Sequence, residues 1–224
     1  MKKPVIAVDG YSSTGKSSIS KLIAKELGLI HMDTGALYRA VTFYAIQNCL
    51  NDRNEIDLAK LLKNLDQIHL DFRSENGELV LYLNNENITD KIRTSDISEN
   101  VSFVAKQPEI RDFLLHIQRS RAQQGGIIMD GRDIGTVVLP DADYKFFLTA
   151  SADERTKRRF LEMQSLGLTT DEKSVKENLI KRDKIDSERT VAPLKKADDA
   201  ILIDNTNLNK NETLALILSY ITNI

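Results

Sequence analysis

The chain has 224 residues, 41% of them hydrophobic and 29% charged, which excludes disorder along the whole chain and supplies a core without disulfide or metal support. A formal net charge of −2 argues against a general nucleic-acid binder, which would be basic. The single cysteine, Cys49, cannot form an internal disulfide and suits a reducing cytoplasm. No stretch approaches the ~20 apolar residues of a membrane span, so the expectation is a cytoplasmic, soluble chain with neither nucleic acid nor membrane as partner.

In chain order, residues 4–8 (P-V-I-A-V) read as a short buried strand, too short for a signal-peptide core and followed at once by Asp9 and Gly10. A glycine- and serine-rich turn occupies 10–16. From Ser17 the apolar residues Ile19, Leu22, Ile23 and Leu27 recur at helical spacing, and Gly28 is the expected C-cap. Residues 29–31 predict a second strand and 36–49 a helix. Residues 55–65 look helical, whereas 69–72 and 79–83 alternate apolar and polar around Asn76 and Gly77, a hairpin signal. Helical patterning returns at 95–121, broken near Pro108. Strands are expected at 127–129, 144–149 and 200–203, and helices at about 152–166 and 211–221. Strands alternating with helices imply parallel βαβ units: an α/β chain with a five-stranded parallel sheet flanked by helices.

The strongest local signal is Gly10, Tyr11, Ser12, Ser13, Thr14, Gly15, Lys16 and Ser17, which fits G-x-x-x-x-G-K-[ST]. Its glycines let the backbone turn so that amide N–H groups face phosphate oxygens, and the following helix adds the positive end of its dipole. Lys16 supplies a charge for the β- and γ-phosphates, and the Ser17 hydroxyl suits Mg²⁺. A GTPase would need an N-K-x-D guanine reader, and Asn205, Thr206 and Asn207 do not fit it. A small-molecule kinase instead must gather cations around two phosphorylated substrates. Arg39 follows the predicted strand at 29–31 and Arg132 the one at 127–129, where ligands of open α/β sheets bind. Arg182, Asp186 and Arg189, spaced i, i+4, i+7, share one face if their segment is helical, either as a solvated salt-bridged face or as a lid. Lys157, Arg158 and Arg159 add positive charge nearby.

These pieces resemble the bacterial cytidylate kinases over nearly the full length. The resemblance is carried by Val8, Asp9 and the loop after them, by residues 32–39 (M-D-T-G-A-L-Y-R), by 130–138 (D-G-R-D-I-G-T-V-V) and by 182–193 (R-D-K-I-D-S-E-R-T-V-A-P). It implies a P-loop nucleotide kinase core at 1–65 and 96–224, a β-rich monophosphate-binding insertion at 66–95 and a helical lid at about 155–192. It further implies transfer of the γ-phosphoryl of Mg-ATP to CMP or dCMP by a monomer. Lys16, Arg132, Arg182 and Asp133 would form the catalytic set. ATP would lie on residues 10–17 and Ser18, with Arg155 or Arg159 approaching from the lid. Ser102, Arg111 and Asp133 would read the cytosine ring, whose amino donor suits a carboxylate and whose acceptors suit arginine and serine. Arg39, Arg132 and Arg182 would hold the acceptor phosphate and the moving phosphoryl group, with Thr34, Asp186 and Arg189 on the acceptor's phosphate or sugar. The loop departs from the family's usual G-P-S-G-A-G-K: Tyr11 stands for proline, Ser13 for glycine and Thr14 for alanine. Another monophosphate such as UMP or AMP, or a non-catalytic ATP sensor, are the alternatives.

Overall fold

The computed structural model describes residues 3–75, 78–165, 167 and 169–221. Five parallel strands form the main sheet: β1 (Val5–Gly10), β2 (Ile30–Asp33), β6 (Ile127–Gly131), β7 (Tyr144–Thr149) and β8 (Ile201–Asp204), in the order β2-β6-β1-β7-β8. The central strand β1 pairs with β6 on one side and β7 on the other. Buried on both faces, it is the near-continuous apolar run that a parallel sheet demands.

Helices cover both faces. On one, α1 (Lys16–Leu27) and α8 (Lys210–Tyr220) bury Ile19, Ile23 and Ile217 against Ile6, Val8, Ile128, Phe146 and Leu148. Gly28 ends α1 in the left-handed conformation, as expected. On the other face, α2 (Thr34–Asn48), α4 (Ser95–Ala105) and α5 (Pro108–Ala122) share a core with Met32, Met129 and Ile134. Helix α2 begins two residues earlier than its apolar pattern suggests. Asp33 caps it, its carboxylate accepting from Ala36 N at 3.2 Å, so Thr34 and Gly35 already lie within the first turn. Pro108 opens α5 at a first-turn position, where its missing N–H costs nothing.

The segment at 55–65 resolves into a short α3 (Leu58–Lys63) and a 3₁₀ turn at Leu65–Gln67. The hairpin is present as β3 (Leu70–Glu75) and β4 (Glu78–Leu83), extended by an unforeseen two-residue strand β5 (Glu86–Asn87). Its turn at Asn76 and Gly77 lies outside the described residues. Phe72, Leu81, Leu83 and Ile88 enter the same core as α2 and α4. Helices α6 (Ala152–Ser165) and α7 (Glu172–Glu188) fill the charge-dense region. Among the described residues no helix is long and apolar enough to cross a membrane.

Candidate active site

All five strands of the main sheet run the same way, so their carboxyl ends deliver loops to one edge, the usual ligand side of such sheets. Three of these tips meet: residues 10–15 after β1, Asp33 after β2, and residues 130–133 at the end of β6.

The turn after β1 needs its first glycine for space. Gly10 has φ +144°, and a Cβ there would lie 2.0 Å from the Leu148 carbonyl oxygen of β7. Ser13 sits in the left-handed region at φ +60°, a conformation that costs a non-glycine residue about 1–2 kcal/mol. Ser13→Gly is therefore expected to raise stability by about 0.5–1 kcal/mol after the larger unfolded-state entropy of glycine is counted, or a few degrees in Tm. Thermal denaturation checks this; a lower Tm would contradict it. Tyr11, in the place of the family's proline, turns outward. Its ring meets Phe147 edge-on at 5.8 Å and carries the Arg155 guanidinium at 5.2 Å. Packing thus anchors the loop where a fixed φ would otherwise do so.

Behind the loop, Thr14 Oγ1 donates to Tyr11 O at 3.1 Å, and Asn205 Nδ2 donates to Thr14 O at 2.9 Å. Lys16 is buried, its Nζ donating to Tyr11 O at 2.5 Å and more weakly to Thr14 Oγ1 at 3.4 Å. Burial, reinforced by the Arg132 charge, pulls the ammonium well below its ordinary value. Asp9 lies beneath, accepting from Ile134 N at 2.8 Å and Gly135 N at 2.7 Å. Burial pushes it up to about 6 even though both N–H groups favour the anion. These two bonds tie the root of the phosphate loop to a π-helical turn at Ile134–Val138, an uncommon element that frequents functional sites and that the sequence pattern did not disclose.

The loop faces a cleft of about 490 Å³ whose lining holds ten cationic side chains against five carboxylates. Lys16, Arg39, Arg132 and Arg182 all line it, as do Ser12, Ser13, Gly15, Ser17, Ser18 and Arg159 of the expected donor site and Thr34, Ser102, Arg111, Asp133, Asp186 and Arg189 of the expected acceptor site. Gly10, Tyr11 and Thr14 build the loop from behind and are not among the lining residues.

The arginines crowd one another. Arg39 donates to Ile92 O at 3.2 Å and Ser98 Oγ at 3.0 Å; burial, then the charge of Arg182, lowers it to about 9. Arg182 is lowered to about 10 by burial and then by Arg132, and its buried Nε has no hydrogen-bond partner. Both remain cationic at neutral pH, so the site is charged and under-neutralised, which favours an arriving polyanion. Arg132 spans the cleft floor, donating to Ser12 Oγ at 2.8 Å and to Asp186 Oδ2 at 3.0 Å.

A second cluster lies where α4 and α5 approach the π-turn. Asp133 accepts from Arg111 Nη2 in a short bond and from Arg189 Nη2 at 3.2 Å. Arg111 also donates to Ala105 O at 3.0 Å, and its guanidinium stands over the Tyr38 ring at 5.3 Å. Arg189 is not on the helix, as its i+7 spacing had suggested. It caps α7 in extended conformation, a turn that swings its side chain to Asp133.

One expectation needs correction. Arg155 does not reach the cleft; it is buried under the phosphate loop, paired with Asp183 and donating to Ser12 O at 3.2 Å. Helical spacing places Arg155, Arg158 and Arg159 along α6 but does not say which of them faces the ligand. It is Arg158 that lines the cleft beside Arg159, held by Asn205 Oδ1 at 3.0 Å and Asn205 O at 2.8 Å. In the 66–95 insertion the strands pack their apolar face into the shared core, and Arg93 lines the cleft wall and reaches Asp33 Oδ2 at 3.4 Å.

The residue most clearly missed is Asp130. It ends the apolar run of β6, a position at which a carboxylate could have been flagged. Ser17 Oγ donates to its Oδ2 at 2.6 Å and His31 Nε2 meets its Oδ1 at 2.6 Å; burial alone would raise its titration, but the bonds and charges of His31, Ser17 and Lys16 together lower it below the ordinary carboxylate value. A hydroxyl and a carboxylate in contact at the foot of a phosphate loop are hard oxygen donors suited to a phosphate-bound Mg²⁺.

The family profile described as Cytidylate kinase matches residues 6–223. A cytidylate kinase of Exiguobacterium sibiricum is 49% identical over 215 residues, 96% of this chain and 95% of that protein. One from Streptococcus gordonii is 45% identical over 218 residues, covering 97% and 96%. Among solved structures, an uncharacterized protein from Eubacterium ventriosum superposes with a TM-score of 0.51 at 17% identity, covering 98% of each chain, a likeness of fold alone. Matches at this identity that run nearly end to end in both partners are not those of a shared fragment: the chain belongs to the cytidylate kinase family.

Proposed function

We propose that the chain transfers the γ-phosphoryl group of Mg-ATP to CMP or dCMP, giving ADP and CDP or dCDP. The observation that carries the proposal is the meeting of Lys16, Arg39, Arg132 and Arg182 in one cleft, enough positive charge for two phosphorylated substrates at once. ATP lies along residues 10–18, its phosphates on the loop amides, the α1 N-terminus and Lys16. Arg158 and Arg159 approach the donor from α6. Ser17 and Asp130 would hold Mg²⁺, which would supply charge neutralisation for the transferring phosphates.

CMP takes the α4–α5 side. Asp133 accepts from the cytosine amino group, each of its oxygens keeping a lone pair beyond its arginine bond, while Arg111 and Ser102 serve the ring acceptors. Arg39 and Arg132 hold the acceptor phosphate, Arg182 the group in flight, and Thr34, Asp186 and Arg189 the phosphate or sugar. An acceptor phosphate oxygen forms the new bond to the γ-phosphorus as the bond to the β,γ-bridging oxygen breaks. That nucleophile is already anionic, so no strong general base is required. Helix α7, pinned to the loop through Asp183 and to Arg132 through Asp186, keeps water from competing.

The proposed acting unit is a monomer. Buried, unpaired Cys49 supports a reducing cytoplasm. An acceptor panel of CMP, dCMP, UMP and AMP, read by ADP release, tests the assignment. CMP or dCMP is expected to exceed AMP by at least about tenfold, the worth of one well-made discriminating contact. Equal rates across the panel would overturn the base-reading assignment.

A further inference from the structure

Asp130 and Asp33 end neighbouring strands and lie in register as a pair. Asp130 is buried and Asp33 partly so, and two carboxylates in facing register repel each other. A carboxylate in that position has reason to rotate away from its neighbour. Rotation does not serve a group that must present an oxygen to a cation. Asp33 is occupied as the cap of α2 and by Arg93. Asp130 is held at both ends: Ser17 on Oδ2 and His31 on Oδ1, each at 2.6 Å. The His31 side chain is only 10% exposed and Asp130 4%, so water does not substitute readily for this contact. Since Asp130 accepts, Nε2 of His31 is the donor.

We propose that His31 is a positioning residue for Asp130, fixing its carboxylate so that Oδ2 faces Ser17 and the cation that arrives with ATP. His31 is absent from the cleft lining; it acts through Asp130 alone. The inference rests on the metal reading of Ser17 and Asp130 given above. Partners in this outer position orient a ligand, and their loss commonly weakens metal binding 10–100-fold.

The test is the affinity of Mn²⁺, a paramagnetic stand-in for Mg²⁺, for the enzyme–ATP complex, followed by electron paramagnetic resonance. It is run on the wild type, His31→Ala and His31→Gln, with ATP affinity in EDTA measured calorimetrically in parallel. Glutamine can place its amide nitrogen where Nε2 stands. His31→Ala is expected to weaken Mn²⁺ by about tenfold or more, with ATP affinity in EDTA unchanged, and His31→Gln to recover most of the loss. Unaltered Mn²⁺ affinity in His31→Ala would overturn the proposal. So would an equal loss of ATP affinity in EDTA, which marks a merely structural role. A wild type that binds Mn²⁺ no better than free ATP does would instead overturn the metal reading beneath it.

Discussion

Lys16→Ala is expected to lower turnover at least about a thousandfold, some 4 kcal/mol of transition-state stabilisation, while the protein stays folded. Two features of the site set that size. Lys16 is buried at the mouth of the loop, where a charge is worth far more than in water, and its bond to Tyr11 O keeps Nζ at the phosphates' entry point. Stability should not suffer. Burial and the neighbouring Arg132 already disfavour the ammonium, so an empty site loses an ill-solvated charge rather than a satisfied one. Lys16→Arg should not rescue, because a planar fork cannot replace a point charge in this space. Steady-state ADP release together with a melting curve checks both halves. Near-normal turnover in Lys16→Ala would remove Lys16 from the mechanism.

At Asp133 the choice of variant decides what is learned. The carboxylate is the counter-charge of two buried guanidiniums, Arg111 and Arg189. Asp133→Ala strips Arg111 of this counter-charge and leaves Arg189 only Asp186 at 3.9 Å; it is expected to cost about 3–5 kcal/mol of folding stability, which would blur any kinetic reading. Asp133→Asn keeps the shape and one acceptor. Its expected effect is a rise of about 10–100-fold in KM for CMP, the worth of a hydrogen bond to a charged group, with the ATP affinity within about twofold of wild type. Competitive binding of CMP and ATP to the same variant measures the contrast. Equal losses for both nucleotides would sink the assignment of Asp133 to the base.

Much of the site could be read before any coordinates, because its signals are local. The phosphate loop is one contiguous motif between an apolar strand and an amphipathic helix, and Arg39 and Arg132 follow strand ends that a parallel sheet must bring together. What stayed hidden depends on pairings between distant segments. Ser17 and Asp130 are 113 residues apart and meet only because β1 and β6 are neighbours. Arg155 and Arg158 differ by three positions on one helix face, and which of them meets the ligand depends on Asp183 and Asn205, contributed by α7 and by the end of β8. The π-turn after Asp133 has no side-chain signature; it exists because Asp9 holds two of its N–H groups from another strand. Tyr11, read as a departure from the family's loop, finds its explanation in Phe147 and Arg155, neither of them near in sequence.

The central claim is that one cleft passes a phosphoryl group directly between two nucleotides. It is tested most directly by following the label of γ-³²P-ATP through a single turnover with Mg²⁺ and CMP. The account predicts that the label appears in CDP in step with ADP, with little in inorganic phosphate. Label released as phosphate, or ATP retained unchanged while CMP is bound, would contradict it.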